Sequence, residues 1–184
     1  MQAVIPKEIA LSLVDIWFQD EARVGQQGTL SRIWAVKGSR TRLQKQLQYK
    51  SGYIFGAICP QKKQSVGLVL PLVNTQAMQM HLEEISTYVE KGRHAVIVVD
   101  KAAWHTTDKL DLPNNISLLP LPATSPELNP VEQVWNWIRQ HSLSNRVFKN
   151  YKEIVDEACK AWNIFASHSD LIASIGTRKW ASLC

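Results

Sequence analysis

The chain has 184 residues, 45% apolar and 20% charged, with a net charge of +5 from 21 Lys and Arg against 16 Asp and Glu. This length supports one well-cored domain and excludes two comfortable ones, and the composition excludes a disordered chain. No apolar run approaches the ~20 residues of a membrane-spanning helix. Mild basicity is compatible with nucleic acid as a partner and decides nothing alone.

Leu13-Val14-Asp15-Ile16-Trp17-Phe18-Gln19 reads as an internal strand that ends on Asp20, followed by Glu21. By period-2 alternation Val14, Ile16, Phe18 and Asp20 share one face, and Glu21 falls on the other. Gly25 and Gly28 mark a turn, and Arg32 to Val36 reads as a short strand. Lys37, Arg40, Arg42, Lys45 and Lys50 follow without a balancing acid. That stretch is either a solvated rim or an edge that contacts phosphates. Gly52 to Cys59 and Ser65 to Leu70, separated by the polar Gln61 to Gln64 turn, predict a hairpin.

Asn74 is placed to cap a helix with Met78, Leu82, Ile85 and Val89 on its apolar stripe, closed by Gly92. Ala95-Val96-Ile97-Val98-Val99-Asp100 follows, a continuous apolar run expected to be a strand buried on both faces. A helix between a sheet and such a strand is a crossover, so the strand should run parallel to a neighbour. A short helix near Ala102 to Lys109 and a strand from Ile116 to Leu121 come next. A proline-rich bend then leads to Asn129-Pro130, which opens a helix carrying Val131, Trp135 and Ile138. Helices over about Tyr151 to Phe165 and His168 to Gly176 complete the chain. The order predicts an α/β protein with a mixed sheet.

Cys59, Cys159 and Cys184 are scattered and have no CxxC spacing, which excludes a disulfide framework and fits a reducing compartment. The start, Met1 to Glu8, lacks the basic flank and apolar core of a signal peptide. A soluble, cytoplasmic protein is therefore expected, with no membrane partner.

In open α/β sheets, chemistry gathers at the carboxyl ends of the strands. If the Asp20 and Asp100 strands are parallel neighbours, about 4.8 Å apart, their acids stand near enough to share a divalent ion. Two such carboxylates repel unless a cation lies between them. Hard oxygen ligands suit Mg²⁺ or Mn²⁺. A third acid would complete a two-metal site, with ions about 3.5–4 Å apart, able to attack a phosphodiester. Glu132 is the candidate, although Asn129, Pro130 and Glu132 also fit a capping box with Glu132 at the third helical position.

Three motifs occur in order: Trp17-Phe18-Gln19-Asp20-Glu21; Val98-Val99-Asp100-Lys101-Ala102-Ala103-Trp104-His105; and Ser125-Pro126-Glu127-Leu128-Asn129-Pro130-Val131-Glu132-Gln133-Val134-Trp135. Together, over about Leu13 to Arg139, they resemble the catalytic domain of mariner-like DDE transposases, especially their bacterial insertion-sequence branch. The last motif is the most specific. The resemblance implies an RNase H-like fold and DNA strand cutting and joining with two Mg²⁺ or Mn²⁺ ions. It maps the metal-binding catalytic acids onto Asp20, Asp100 and Glu132. It also implies partners: element ends and target DNA, a second copy of the chain, and a bacterial, nucleoid-associated setting.

DNA contacts are expected at Lys37, Arg40, Arg42, Lys45, Lys101, His105 and Arg139, with Arg146 and Lys149 as further phosphate contacts. His105 either fixes the local turn or orients water or phosphate. Glu127 is expected to face solvent. Lys101 departs from the resemblance, because relatives usually carry Asn there; the cation either contacts a phosphate or competes with metal charge. Thirty-one residues lie between Asp100 and Glu132, a little short for the superfamily. Relatives precede the first acid with a helix-turn-helix region. Here Asp20 stands too near the start to leave room for one, so a single domain over 1–184, helical from about 150, is expected, from a split or frameshifted reading frame with that region encoded separately or from a decayed copy. The alternatives are another RNase H-like nuclease, or a remnant that binds DNA or dimerises without catalysis.

Overall fold

The apolar runs of the sequence become one five-stranded sheet in the computed structural model, which describes residues 4–28, 34–39, 42, 46–105, 107–122 and 125–181. The strands are β1 (Val14–Gly25), β2 (Ser51–Cys59), β3 (Gln64–Leu70), β4 (His94–Val99) and β5 (Ile116–Pro120). Their order across the sheet is β3-β2-β1-β4-β5. The β2–β3 hairpin is antiparallel, and β2 also pairs antiparallel with β1. β4 runs parallel to both β1 and β5, as the crossover reading requires. Helix α1 (Thr75–Tyr88) makes that crossover, with the Asn74 side chain accepting from the Ala77 N–H at 2.8 Å. Helices α2 (Val131–Ile138), α3 (Tyr151–Ala166) and α4 (Ser169–Gly176) follow β5.

The two faces of the sheet carry separate cores. Trp17, Phe55, Ala57, Ile97 and Val99 bury α1 through Met78, Leu82 and Ile85. Val14, Ile16, Phe18, Val96 and Val98 point the other way, onto Trp135 and Ile138 of α2 and Ile154, Ala158, Ala161 and Phe165 of α3. Every residue of β4 is buried, which is why its sequence shows no alternation.

Several local expectations are corrected. β1 does not stop at Gln19 but runs on through Asp20 to Gly25, paired with β2 as far as Gly25↔Ser51. Residues 34–36 form no strand, and Trp34 is fully exposed; residues 32 and 33 lie outside the described residues. The stretch after Asp100 is a turn closed by the His105 N–H on the Ala102 carbonyl, not a helix. Gly92, at φ +84°, sits in the turn from Glu90 to Arg93 rather than at the end of α1. β1 is longer than its own residues suggest because β2 partners it to Gly25, whereas the exposed residues 34–36 have no strand to pair with.

Close packing on the α2–α3 face gives one prediction. A Cβ on Gly56 would lie 2.5 Å from Cη2 of Trp135 and 2.6 Å from Cζ3 of Trp162. Gly56→Ala should therefore cost about 1–3 kcal/mol through overpacking, read as a lower unfolding midpoint in urea.

A second prediction lies on the α1 face. His81 is fully buried, edge-on to Phe55 with centroids 5.8 Å apart. Burial, against a weaker opposing pull from the Val66 backbone, lowers its pKa to about 4. Between pH 6.5 and 4 the unfolded chain binds the proton that the folded chain refuses, so this contribution to stability is full above pH 6.5 and falls with pH. Relative to His81→Leu, the wild type should lose about 2.5 kcal/mol between about pH 7.5 and about pH 4.5, measured as paired urea unfolding curves.

Candidate active site

The last β1–β4 pair is Phe18↔Val98. Two residues beyond that pair stand Asp20, still within β1, and Asp100, just past the end of β4. Beyond this point β4 has ended, while β1 continues with β2 alone on its other side. The open edge of β1 is the mouth of the site. By alternation Asp20 projects to the face covered by α2 and α3.

Helix α2 is fastened to β1 at Gln19 and at Asp20 itself. Nδ2 of buried Asn129 donates to the Gln19 carbonyl at 2.9 Å, and its Oδ1 accepts from the Val131 N–H at 3.2 Å. One turn on, the Trp135 indole Nε1 donates to Oδ2 of Asp20 at 2.8 Å. Pro130 is the cap and Glu132 the second helical residue, so the expected capping box does not form. Asn129 serves as a tether between helix and strand instead. Glu132 is exposed in the first turn, and no hydrogen bond among the described residues engages its carboxylate. Glu127, as expected, faces solvent.

Burial raises the Asp20 carboxyl to about 7, and the Glu21 and Glu132 charges add to the rise; the Trp135 indole and the Glu21 backbone oppose it. A carboxylate at such a position is costly without a cation.

Asp100 lies just past β4 with its side chain 58% exposed. Its Oδ1 accepts from the Ala102 N–H at 2.9 Å and lies 2.7 Å from Nδ1 of His105. Nε2 of His105 lies 3.0 Å from Oε1 of Glu21. Burial pulls the imidazole pKa down, but the Glu21 hydrogen bond and the Glu21 and Asp100 charges outweigh it, leaving it above its ordinary value.

The site residues expected from sequence fall into three groups. Asp20 and Glu132 are near enough for the Glu132 charge to act on the Asp20 carboxyl, while Asp100 stands just past the end of β4 with its carboxylate on His105. Lys37, Arg42 and Lys101 are exposed; Arg40 and Lys45 lie outside the described residues. Arg139 lines a cleft of about 360 Å³ together with Glu132, Trp135, Arg23 and Phe148. His105 is corrected as a DNA contact: its side chain is fully buried and both ring nitrogens face carboxylates. Arg146 is exposed and pairs with Glu157, and Lys149 is exposed. Sequence reasoning passed over Asn129 as a tether, Trp135 as the donor to Asp20, and Arg23 in the cleft. Asn129 and Trp135 both lie in the third motif, where the local pattern of Asn129 is that of a cap.

Among the described residues, no three His, Cys, Asp or Glu side chains are gathered closely enough to hold an ion. Asp20 is turned to Trp135 and Asp100 to His105. The donor chemistry nonetheless fits a hard divalent cation: Asp20 is a buried carboxylate under the charge of Glu132, and both offer oxygen ligands. No described helix is long and apolar enough to cross a membrane.

The family model for DDE superfamily endonucleases matches residues 15–155. A relative from Sinorhizobium fredii (strain NBRC 101917 / NGR234), "Uncharacterized protein y4pE/y4sA", is 54% identical over 129 residues, covering 70% of this chain and 96% of that protein. Among solved structures, the Mos1 mariner paired end complex with Mn is similar at a TM-score of 0.58 and 16% identity, over 92% of this chain and 57% of that one. The Mos1 strand transfer complex gives 0.57 and 17%, over 90% and 56%. A simian T-cell lymphotropic virus intasome gives 0.51 and 12%, over 88% and 50%. At these identities the likeness is one of fold, which is RNase H-like. This chain spans little more than half the length of the Mos1 chains.

Proposed function

The chain belongs to the DDE superfamily endonucleases, and from that premise we propose that Asp20, Asp100 and Glu132 form a Mg²⁺- or Mn²⁺-dependent centre that cuts DNA at element ends. The observation that supports this reading is the parallel register of β1 and β4, which ends at Phe18↔Val98, two residues short of Asp20 and Asp100, with α2 tethered to β1 beside Asp20 by Asn129. Two ions held by these carboxylates would supply an activated oxygen nucleophile and neutralise charge at the phosphorus.

The chain's own residues do the rest. The Trp135 indole fixes the rotamer of Asp20, and the Asn129 tether fixes the approach of Glu132. Arg139 and Arg23, lining the cleft beside Glu132, are placed to hold the phosphates of the strand being cut. Exposed Lys37, Arg42 and Lys101 add sequence-independent contacts that weaken steeply with salt. A cut leaves a 3′-hydroxyl, and the same carboxylates would serve its attack on target DNA.

In this reading the chain is the catalytic domain of a bacterial insertion-sequence transposase acting in the cytoplasm. It pairs with a second copy across two element ends and takes end recognition from a helix-turn-helix region outside its catalytic fold. The test is nicking of supercoiled plasmid and cutting of terminal-repeat duplexes by the chain in Mg²⁺ or Mn²⁺. Cleavage abolished by chelator is expected. Cleavage indifferent to chelator, or confined to hairpins and junctions, would overturn the assignment.

A further inference from the structure

Glu21 is a buried acid for which the proposed chemistry has no use. It alternates to the α1 face of β1, away from Asp20, and only 8% of its side chain is exposed. Its Oε1 collects three donors: Gln19 Nε2 at 2.9 Å, Trp104 Nε1 at 3.4 Å and the His105 ring at 3.0 Å. Burying a carboxylate is costly unless it is hydrogen-bonded and paired, and these three donors meet that need. One of the three is a ring whose other nitrogen grips the most exposed end of the site.

We propose that Glu21 is a positioning residue for the metal centre, acting through His105 to fix the Asp100 carboxylate from the opposite face of the sheet. Asp100 stands past the end of its strand, where nothing in β4 restrains its rotamer. Both of its anchors, the Ala102 N–H and His105 Nδ1, meet Oδ1. Among the described residues Oδ2 accepts no hydrogen bond, so the pair of anchors decides which oxygen is offered to a cation. The His105 ring can do this only if its plane is set, and Glu21, gripped by Gln19 and Trp104, sets it. Partners behind a metal ligand commonly orient it in this way, and losing one typically weakens metal affinity or activity about 10- to 100-fold.

The inference rests on Asp100 being a metal ligand, so the experiment carries that control. Mn²⁺ is titrated calorimetrically into the full chain, Glu21→Ala, Glu21→Gln and Asp100→Ala, and cleavage of terminal-repeat duplex is resolved into kcat and KM for DNA. Glu21→Ala should bind Mn²⁺ about tenfold or more weakly and lose kcat with KM unchanged. Glu21→Gln, which keeps an acceptor for the ring, should recover part of the loss. If Glu21→Ala fails to fold, Glu21→Gln alone decides, by an Mn²⁺ affinity below that of the wild type. Wild-type Mn²⁺ affinity and kcat in a folded Glu21 variant, with Asp100→Ala defective, would overturn the proposal and leave the metal site standing. Wild-type affinity in Asp100→Ala would remove the metal site and the proposal together.

Discussion

Asp100→Asn should reduce metal-dependent DNA cleavage about a thousandfold while leaving the fold unchanged. The substitution keeps the size of the side chain and an oxygen for the Ala102 N–H, so stability should move by less than about 1 kcal/mol at this half-exposed position. What it removes is one of three negative charges expected to hold the ions. Metal activation is worth several kcal/mol of transition-state stabilisation, and about 1.36 kcal/mol is tenfold in rate. Glu132→Gln should behave alike. Glu127→Gln, five residues away in the same motif but facing solvent, should cleave as the wild type does. Initial rates of plasmid nicking, with circular dichroism as the folding control, make the comparison. Retained nicking in Asp100→Asn would contradict the assignment.

Asp20→Asn should be more stable than the wild type at pH 8 and inactive. Burial first, then the neighbouring Glu21 and Glu132 charges, raise the Asp20 carboxyl from 3.8 to about 7. A raised acid contributes fully below its unfolded pKa, and that contribution is lost as pH rises through the folded value. By pH 8 the folded chain carries a penalty on the order of 3–4 kcal/mol against an ordinary aspartate. The neutral amide of the variant would escape it and still face the Trp135 indole through its carbonyl. The variant should therefore melt about 5–10 °C higher at pH 8 without metal, and the difference should close as pH falls toward 4. Mn²⁺ should raise the wild-type midpoint and barely move that of the variant, because a bound cation relieves the same penalty. Equal midpoints for both proteins at pH 8 would mean that Asp20 carries no such strain.

The sequence was most legible where burial is two-sided or periodic. The unbroken apolar run before Asp100 could only be an internal strand, and the stepped positions of α1 and α3 could only be amphipathic helices. The parallel neighbour of the Asp100 strand followed from the crossover helix. Legibility failed where a residue's partner comes from far along the chain. Asn129 looked like a cap because capping is local, yet its amide is used on Gln19, 110 residues away. β1 appeared to end at Asp20 because the strand loses one neighbour there while keeping the other, a change its own residues do not record. The alternation that turns Glu21 away from Asp20 is legible in the sequence, but its role is not. Its tie to His105 spans 84 residues and passes behind the sheet. Lys101, the departure beside Asp100, is exposed, which leaves it able to meet a phosphate.

The central claim is that Asp20, Asp100 and Glu132 are one metal site. An anomalous difference map from crystals of this chain soaked in Mn²⁺ tests it most directly. The account predicts density within coordinating distance of all three carboxylates, with Oδ2 of Asp100 facing the ion and Glu21 still on His105. Density elsewhere, or none beside Asp20 and Asp100 at millimolar Mn²⁺, would contradict it.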